Sequence, residues 1–172
     1  MSRVQRYLLN CLLTVSSLIF CSLLLPTRFP GTVLLGLGPH WLLIWVVAWS
    51  IKRQPWQGAI AGVAAGLIQD GMTLANPSHI LSLALVGFLT GQIEKEKYIQ
   101  EDFISIALIV FAMAVVAETF TAAQYTLIDF SRLIPIWRQH QQIAIVSALL
   151  SSLWAPVIYY PLNYCWQMLE QE

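Results

Sequence analysis

The chain has 172 residues, of which 58% are hydrophobic and 10% charged, with nine basic and nine acidic side chains. Soluble domains carry about a quarter charged residues, so this composition points to a lipid solvent and to one domain of modest size. The formal net charge is zero and no basic face or tail stands out, which argues against nucleic acid as a partner.

A helix crosses a hydrocarbon core of ~30 Å with ~20 mostly apolar residues. The charged residues divide the chain into about six such segments. Arg3 and Arg6 precede an uncharged run, and the first helix is predicted over 7–25, closed by Pro26-Thr27-Arg28-Phe29-Pro30-Gly31. That run is longer than the apolar part of a signal peptide and lacks a small-residue cleavage site. Leu18-Ile19-Phe20-Cys21 makes a poor lipoprotein box because bulky Phe20 precedes the cysteine. The run is read as a retained helix.

The second helix is predicted within 32–51, ending at Lys52-Arg53-Gln54-Pro55. Pro39 suits the start of its regular part, since proline needs no hydrogen-bond donor in a first turn. Residues 32–38 are open between helix, loop and re-entrant segment, because Gly31, Gly36, Gly38 and Pro39 disfavour a helix there. Trp41, Trp45 and Trp49 recur every four residues and share one face, read as a lipid-facing or packing ridge, with a partner surface as the alternative.

The third helix is predicted over 56–74, followed by the turn Ala75-Asn76-Pro77-Ser78, and the fourth over 79–93. A dense charge cluster, 94–102, makes the main polar loop. The fifth helix is predicted over 103–128. A polar loop with Asp129, Arg132, Arg138 and His140 follows, and a sixth helix covers 143–168, with bends predicted at Pro156 and Pro161. With the N-terminus in the cytoplasm, six basic residues lie inside (Arg3, Arg6, Lys52, Arg53, Lys95, Lys97) and three outside (Arg28, Arg132, Arg138). The positive-inside rule therefore favours an N-in, C-in bundle. The expected fold is an all-α membrane domain spanning residues 1–172.

The third helix carries the clearest pattern. Gly58, Gly62 and Gly66 recur every four residues and Asp70 is the next step. Each step drifts by only about 40°, so the four are read as one winding stripe. Small residues let a second backbone approach, which gives dispersion contact where lipid removes the hydrophobic drive. The stripe is expected to face another helix, of this chain or of a partner. A carboxylate in lipid costs at least ~2.5 kcal/mol, so Asp70 should face protein. Glu118, with Thr121, Ala122 and Tyr125 on its face, is the second such acid. Both acids lie roughly 21–23 Å beyond the inner surface at ~1.5 Å per residue. His40 descends to a similar level from outside, and His79 stands just above. An intramembrane polar layer of Asp70, Glu118, His40 and His79 is expected, most simply as a hydrogen-bonded knot fixing helix register.

No catalytic, cofactor or metal site is expected. Cys11, Cys21 and Cys165 lie in apolar runs without ligand spacing, and the three histidines are scattered at positions 40, 79 and 140. There is no H-E-x-x-H and no G-x-S-x-G.

Pro39-His40-Trp41-Leu42-Leu43 opens an apolar helix ending at Lys52-Arg53. The run Gly58-Ala59-Ile60-Ala61-Gly62-Val63-Ala64-Ala65-Gly66-Leu67-Ile68-Gln69-Asp70 follows, and Asn76-Pro77-Ser78-His79 restarts a helix. This order, concentrated in 39–91, resembles the MreD family of the bacterial rod-shape machinery. The chain departs from the family's frequent acidic residue after the helix-2 proline, having His40 there. The resemblance implies a fold similar to the substrate-binding subunits of energy-coupling-factor transporters. It also implies a multi-pass protein of the bacterial inner membrane and a non-enzymatic scaffold of the cell-elongation complex. Its implied partners are an MreC-like protein, an MreB-like filament and wall-synthesis enzymes. The alternative is a substrate-binding subunit of a vitamin-type transporter.

Overall fold

In lipid, a chain can satisfy its backbone polar groups within a single segment only as a helix. The computed structural model describes residues 3–27, 36–73, 78–93, 103–128 and 133–171, and it contains six helices and no strand among them. These are α1 (Arg3–Leu24), α2 (Trp41–Ser50), α3 (Pro55–Thr73), α4 (Ile80–Gln92), α5 (Phe103–Ile128) and α6 (Leu133–Gln171). The expected charge cluster at 94–102, the segments 28–35 and 74–77, and Asp129 and Arg132 lie outside the described residues.

Two helix starts lie earlier than the sequence expectation, that of α1 at Arg3 rather than 7 and that of α6. The second helix begins at Trp41, two residues past the Pro39 expected to open its regular part, and the described part of the open stretch is non-helical: Gly36 takes a left-handed φ of 82° and Gly38 and Pro39 continue a non-helical chain to His40. The sixth helix begins at Leu133 rather than 143, so Arg138 and His140 are helical, not loop. Polarity had marked an edge of the apolar run, but Arg and Gln are good helix formers and carry the helix on. The same helix runs through Pro156 and Pro161.

α3 packs most extensively on α4, and α5 on α6, while α2 touches every other helix. The α3–α4 pair is antiparallel: Pro55 meets Gly91, Gly58 meets Gly87, Gly62 meets Leu83 and Gly66 meets Ile80. α2 is the centre. All its residues except Trp49 are buried, and Leu42, Leu43, Val46 and Val47 are 0% exposed. Trp41 and Trp45 are therefore core and Trp49 packs half-buried against it, which is the packing ridge and not the lipid-facing one. Trp41 meets Trp154 edge-on at 5.6 Å, Trp45 stacks on Trp49 at 6.2 Å, and the Arg53 guanidinium lies 5.0 Å over Trp49. The Trp45 indole N–H donates to Ser17 Oγ at 2.9 Å, tying α2 to α1.

The outer helices show the converse pattern. Leu8, Leu12, Val15, Ile19 and Leu23 on α1, and Ile145, Leu149, Leu153 and Val157 on α6, are exposed at helical spacing. Continuous apolar stripes on the outside are what a bilayer solvates and water does not. Two helices, Phe103–Ile128 and the His140–Met168 part of α6, are each long and apolar enough to cross a membrane. Hydroxyls at this level turn inward on their own helix: Thr90 donates to Val86 O at 2.7 Å and Thr126 to Ala122 O at 2.9 Å.

Candidate functional site: two acid–histidine pairs in the bundle

The small-residue stripe faces α4 of the same chain. A Cβ at Gly58 would strike the Gly87 carbonyl, one at Gly87 would strike the Gly58 carbonyl, and one at Gly62 would strike the Leu83 carbonyl. At Gly66 it would stand 2.5 Å from Ile80 Cα. Glycine is required here by backbone contact, not by backbone angle. The buried face of α3 reads Gly58, Ala61, Gly62, Ala65, Gly66 and Gln69. Gln69, not Asp70, continues it. Eleven residues bring the helix to within about 20° of its starting direction, whereas twelve overshoot by about 120°.

Asp70 instead reaches the start of α4. Ser78 Oγ donates to its Oδ2 at 2.6 Å, and the His79 backbone N–H donates to Oδ1 at 2.9 Å and Oδ2 at 3.1 Å. The His79 ring joins through Nδ1 at 2.9 Å from Oδ1. With Asp70 ionised the carboxylate only accepts, and Nδ1 then carries the proton in this pair. Ser78 Oγ also accepts from the Ile80 N–H at 3.1 Å, so one serine caps α4 while it fastens α3.

Glu118 on α5 is 8% exposed. Its Oε1 lies 2.8 Å from His40 Nε2, and its Oε2 lies 3.7 Å from His140 Nδ1 on α6. The His40 backbone N–H donates to Ser151 Oγ at 2.9 Å, which satisfies a donor at the non-helical start of α2 and anchors it to α6. The His140 ring rests 5.2 Å from that of Tyr125. Thr121 and Ala122 are buried beside Glu118, with Thr121 Oγ1 donating to Ala117 O at 2.9 Å.

The two pairs approach across a small cavity of about 20 Å³, whose walls include His40, Gln69, His79, Ser82, Glu118 and Thr121. Glu118 also lines a pocket of about 310 Å³ with Trp137, His140 and Gln141. A third feature is an apolar groove of about 1070 Å³ between α1, α2 and α6, lined by Leu13, Phe20, Trp41, Trp154 and Val157 among others. Among the described residues no group of three or more His, Cys, Asp or Glu is disposed to hold a metal ion.

Sequence reasoning placed His40, His79, Asp70 and Glu118 at related depths. It did not pair them, and it missed His140, Gln69, Ser78 and Ser151. Ser78 carried a readable signal, a serine two residues before a helix. Gln69 carried one in the eleven-residue step. His140 and Ser151 carried none.

The family model for the rod shape-determining protein MreD matches residues 2–164. The chain belongs to the MreD family. Comparison with curated proteins and with solved structures finds no match. As a member of the MreD family, the chain is a rod-shape-determining membrane protein. The residues that carried the resemblance, 39–91, build three elements of one unit: the anchored His40, the glycine contact of α3 with α4, and the Asp70 clasp that restarts α4.

Proposed function

We propose that this protein is a multi-pass, non-enzymatic scaffold of the cell-elongation complex in the bacterial inner membrane, with both termini in the cytoplasm. The observation that carries this reading is the MreD family match along nearly the whole chain. Under it, the six helices lie within the bilayer and form one domain. An MreC-like protein, an MreB-like filament and peptidoglycan-synthesis enzymes are the partners that the family suggests. Asp70, Glu118, His40 and His79 act structurally, holding the register of helices whose outer faces meet lipid or partners. The filled centre around α2 supports this reading, since a scaffold needs a rigid body rather than a binding chamber.

The transporter-subunit alternative requires a pocket with several convergent donors, deep enough for a small molecule. The cavity between the two pairs has room for about one water, and the groove of about 1070 Å³ is lined mainly by apolar side chains. The pocket of about 310 Å³ beside Glu118 is therefore where that alternative would have to place its ligand. The deciding experiment is to purify the tagged chain from its own membranes after mild crosslinking and to identify what accompanies it. Recovery of an MreC-like protein or a wall synthase is expected. Recovery of ATP-binding-cassette subunits with a coupling protein would overturn the scaffold reading.

A further inference from the structure

The cavity between the two pairs has an unusual wall. Ser82 Oγ and Thr121 Oγ1 have already given their protons to His79 O and Ala117 O, so toward the cavity they offer only lone pairs. Gln69 is 4% exposed, and its Oε1 has no hydrogen-bond partner among the described residues. An orphaned amide oxygen in the interior keeps its full desolvation penalty unless something donates to it. His40 faces Glu118 through Nε2 and His79 faces Asp70 through Nδ1, which leaves His40 Nδ1 and His79 Nε2 for other partners. Ser82 Oγ, Thr121 Oγ1 and Gln69 Oε1 can therefore only accept from a group placed in the cavity. The volume is about 20 Å³, against the ~10–15 Å³ that a single water needs. Water fits both the size and the chemistry, because it brings two donors and two acceptors.

We propose that this cavity binds one structural water, which accepts from His40 Nδ1–H, His40 being the cation of its pair with Glu118, and donates one proton to Gln69 Oε1 and the other to His79 Nε2. The two acid–histidine pairs then form a single hydrogen-bonded chain running from Asp70 through His79, water and His40 to Glu118. That chain ties α3, α4, the start of α2 and α5 at one level. It converts two separate clasps into one unit that senses a change at either end.

The test uses the full chain in lipid nanodiscs with ¹⁵N-labelled histidine rings. Three histidines give three sets of ring signals, assigned by single His→Asn variants. Asp70→Asn is expected to move the His79 signals and, through the water, those of His40. In a Gln69→Met background, which removes the orphaned acceptor, Asp70→Asn is expected to move His79 alone. A His40 signal that ignores Asp70→Asn overturns the proposal. So does one that moves equally with Gln69 replaced, because coupling would then bypass the water. Where a variant fails to fold, magnetisation transfer from water to the rings of the unaltered chain decides. Transfer to both His40 and His79 supports the site, and its absence from either overturns it.

Discussion

Asp70 and Glu118 are both acids on apolar helices, each with a histidine nitrogen within 3 Å, at 2.9 and 2.8 Å, yet they are built in opposite ways. Every partner of Asp70 lies within nine residues of it, at the turn where α3 gives way to α4. The partner of Glu118 is 78 positions away, and that histidine is itself pinned to a third helix by Ser151, 111 positions from it. The local pair forms as soon as one hairpin forms. The distant pair forms only when α2, α5 and α6 have assembled. One acid therefore reports on a hairpin and the other on the bundle.

The largest effect should come from removing the support beneath the local pair. Gly62→Leu drives a side chain into the Leu83 backbone, where nothing can yield but the helix itself. A loss of about 3 kcal/mol or more is expected, read as a collapse of the folded fraction in mixed-micelle unfolding. Gly71→Ala, whose added Cβ meets nothing within 4 Å, should not lower that fraction and serves as the control.

Glu118→Ala comes next, at about 2 kcal/mol, because it strands the His40 ring donor among packed helices. His40→Ala should add little on top of it, since the two residues act as one interaction. Asp70→Ala should cost less, about 1 kcal/mol, in line with hydrogen bonds between membrane helices whose partners find substitutes. If Asp70→Ala proved as damaging as Glu118→Ala in the same unfolding series, the contrast between hairpin and bundle would be broken. The smallest effect is expected for His140→Ala, below about 0.5 kcal/mol, because 3.7 Å is beyond hydrogen-bond range. A loss matching that of His40→Ala would show His140 to be a full partner of the acid.

How much could be read without coordinates varies along the chain. α5 was readable to the residue, because Phe103–Ile128 holds a single charged residue, Glu118, and Asp102 and Asp129 bound it. The start of α2 was marked by Pro39, within two residues of Trp41, while the stretch before it stayed open, and the left-handed Gly36 shows that an apolar stretch need not be helical. α6 was under-read because polarity was taken for loop at Arg138 and His140. The glycine stripe was visible as a contact face, but its partner within the chain was not, since α4 offers only Gly87 and Gly91 as a matching pattern. Asp70 and His79 were close enough in sequence to be joined by a turn. No periodicity connects Glu118 to His40, because long-range pairing is decided by the packing of whole helices.

The shortness of α2 has a consequence for the surrounding bilayer. Its ten residues rise about 15 Å, roughly half of a ~30 Å hydrocarbon thickness, whereas the 26 residues of α5 rise about 39 Å. A buried stub of that length has almost no lipid contact and takes no part in matching the membrane's thickness. Thinning or thickening of the bilayer acts on the tilt of the longer outer helices. The centre of the molecule is insulated from it, and the register set at His40 stays constant from one membrane composition to another.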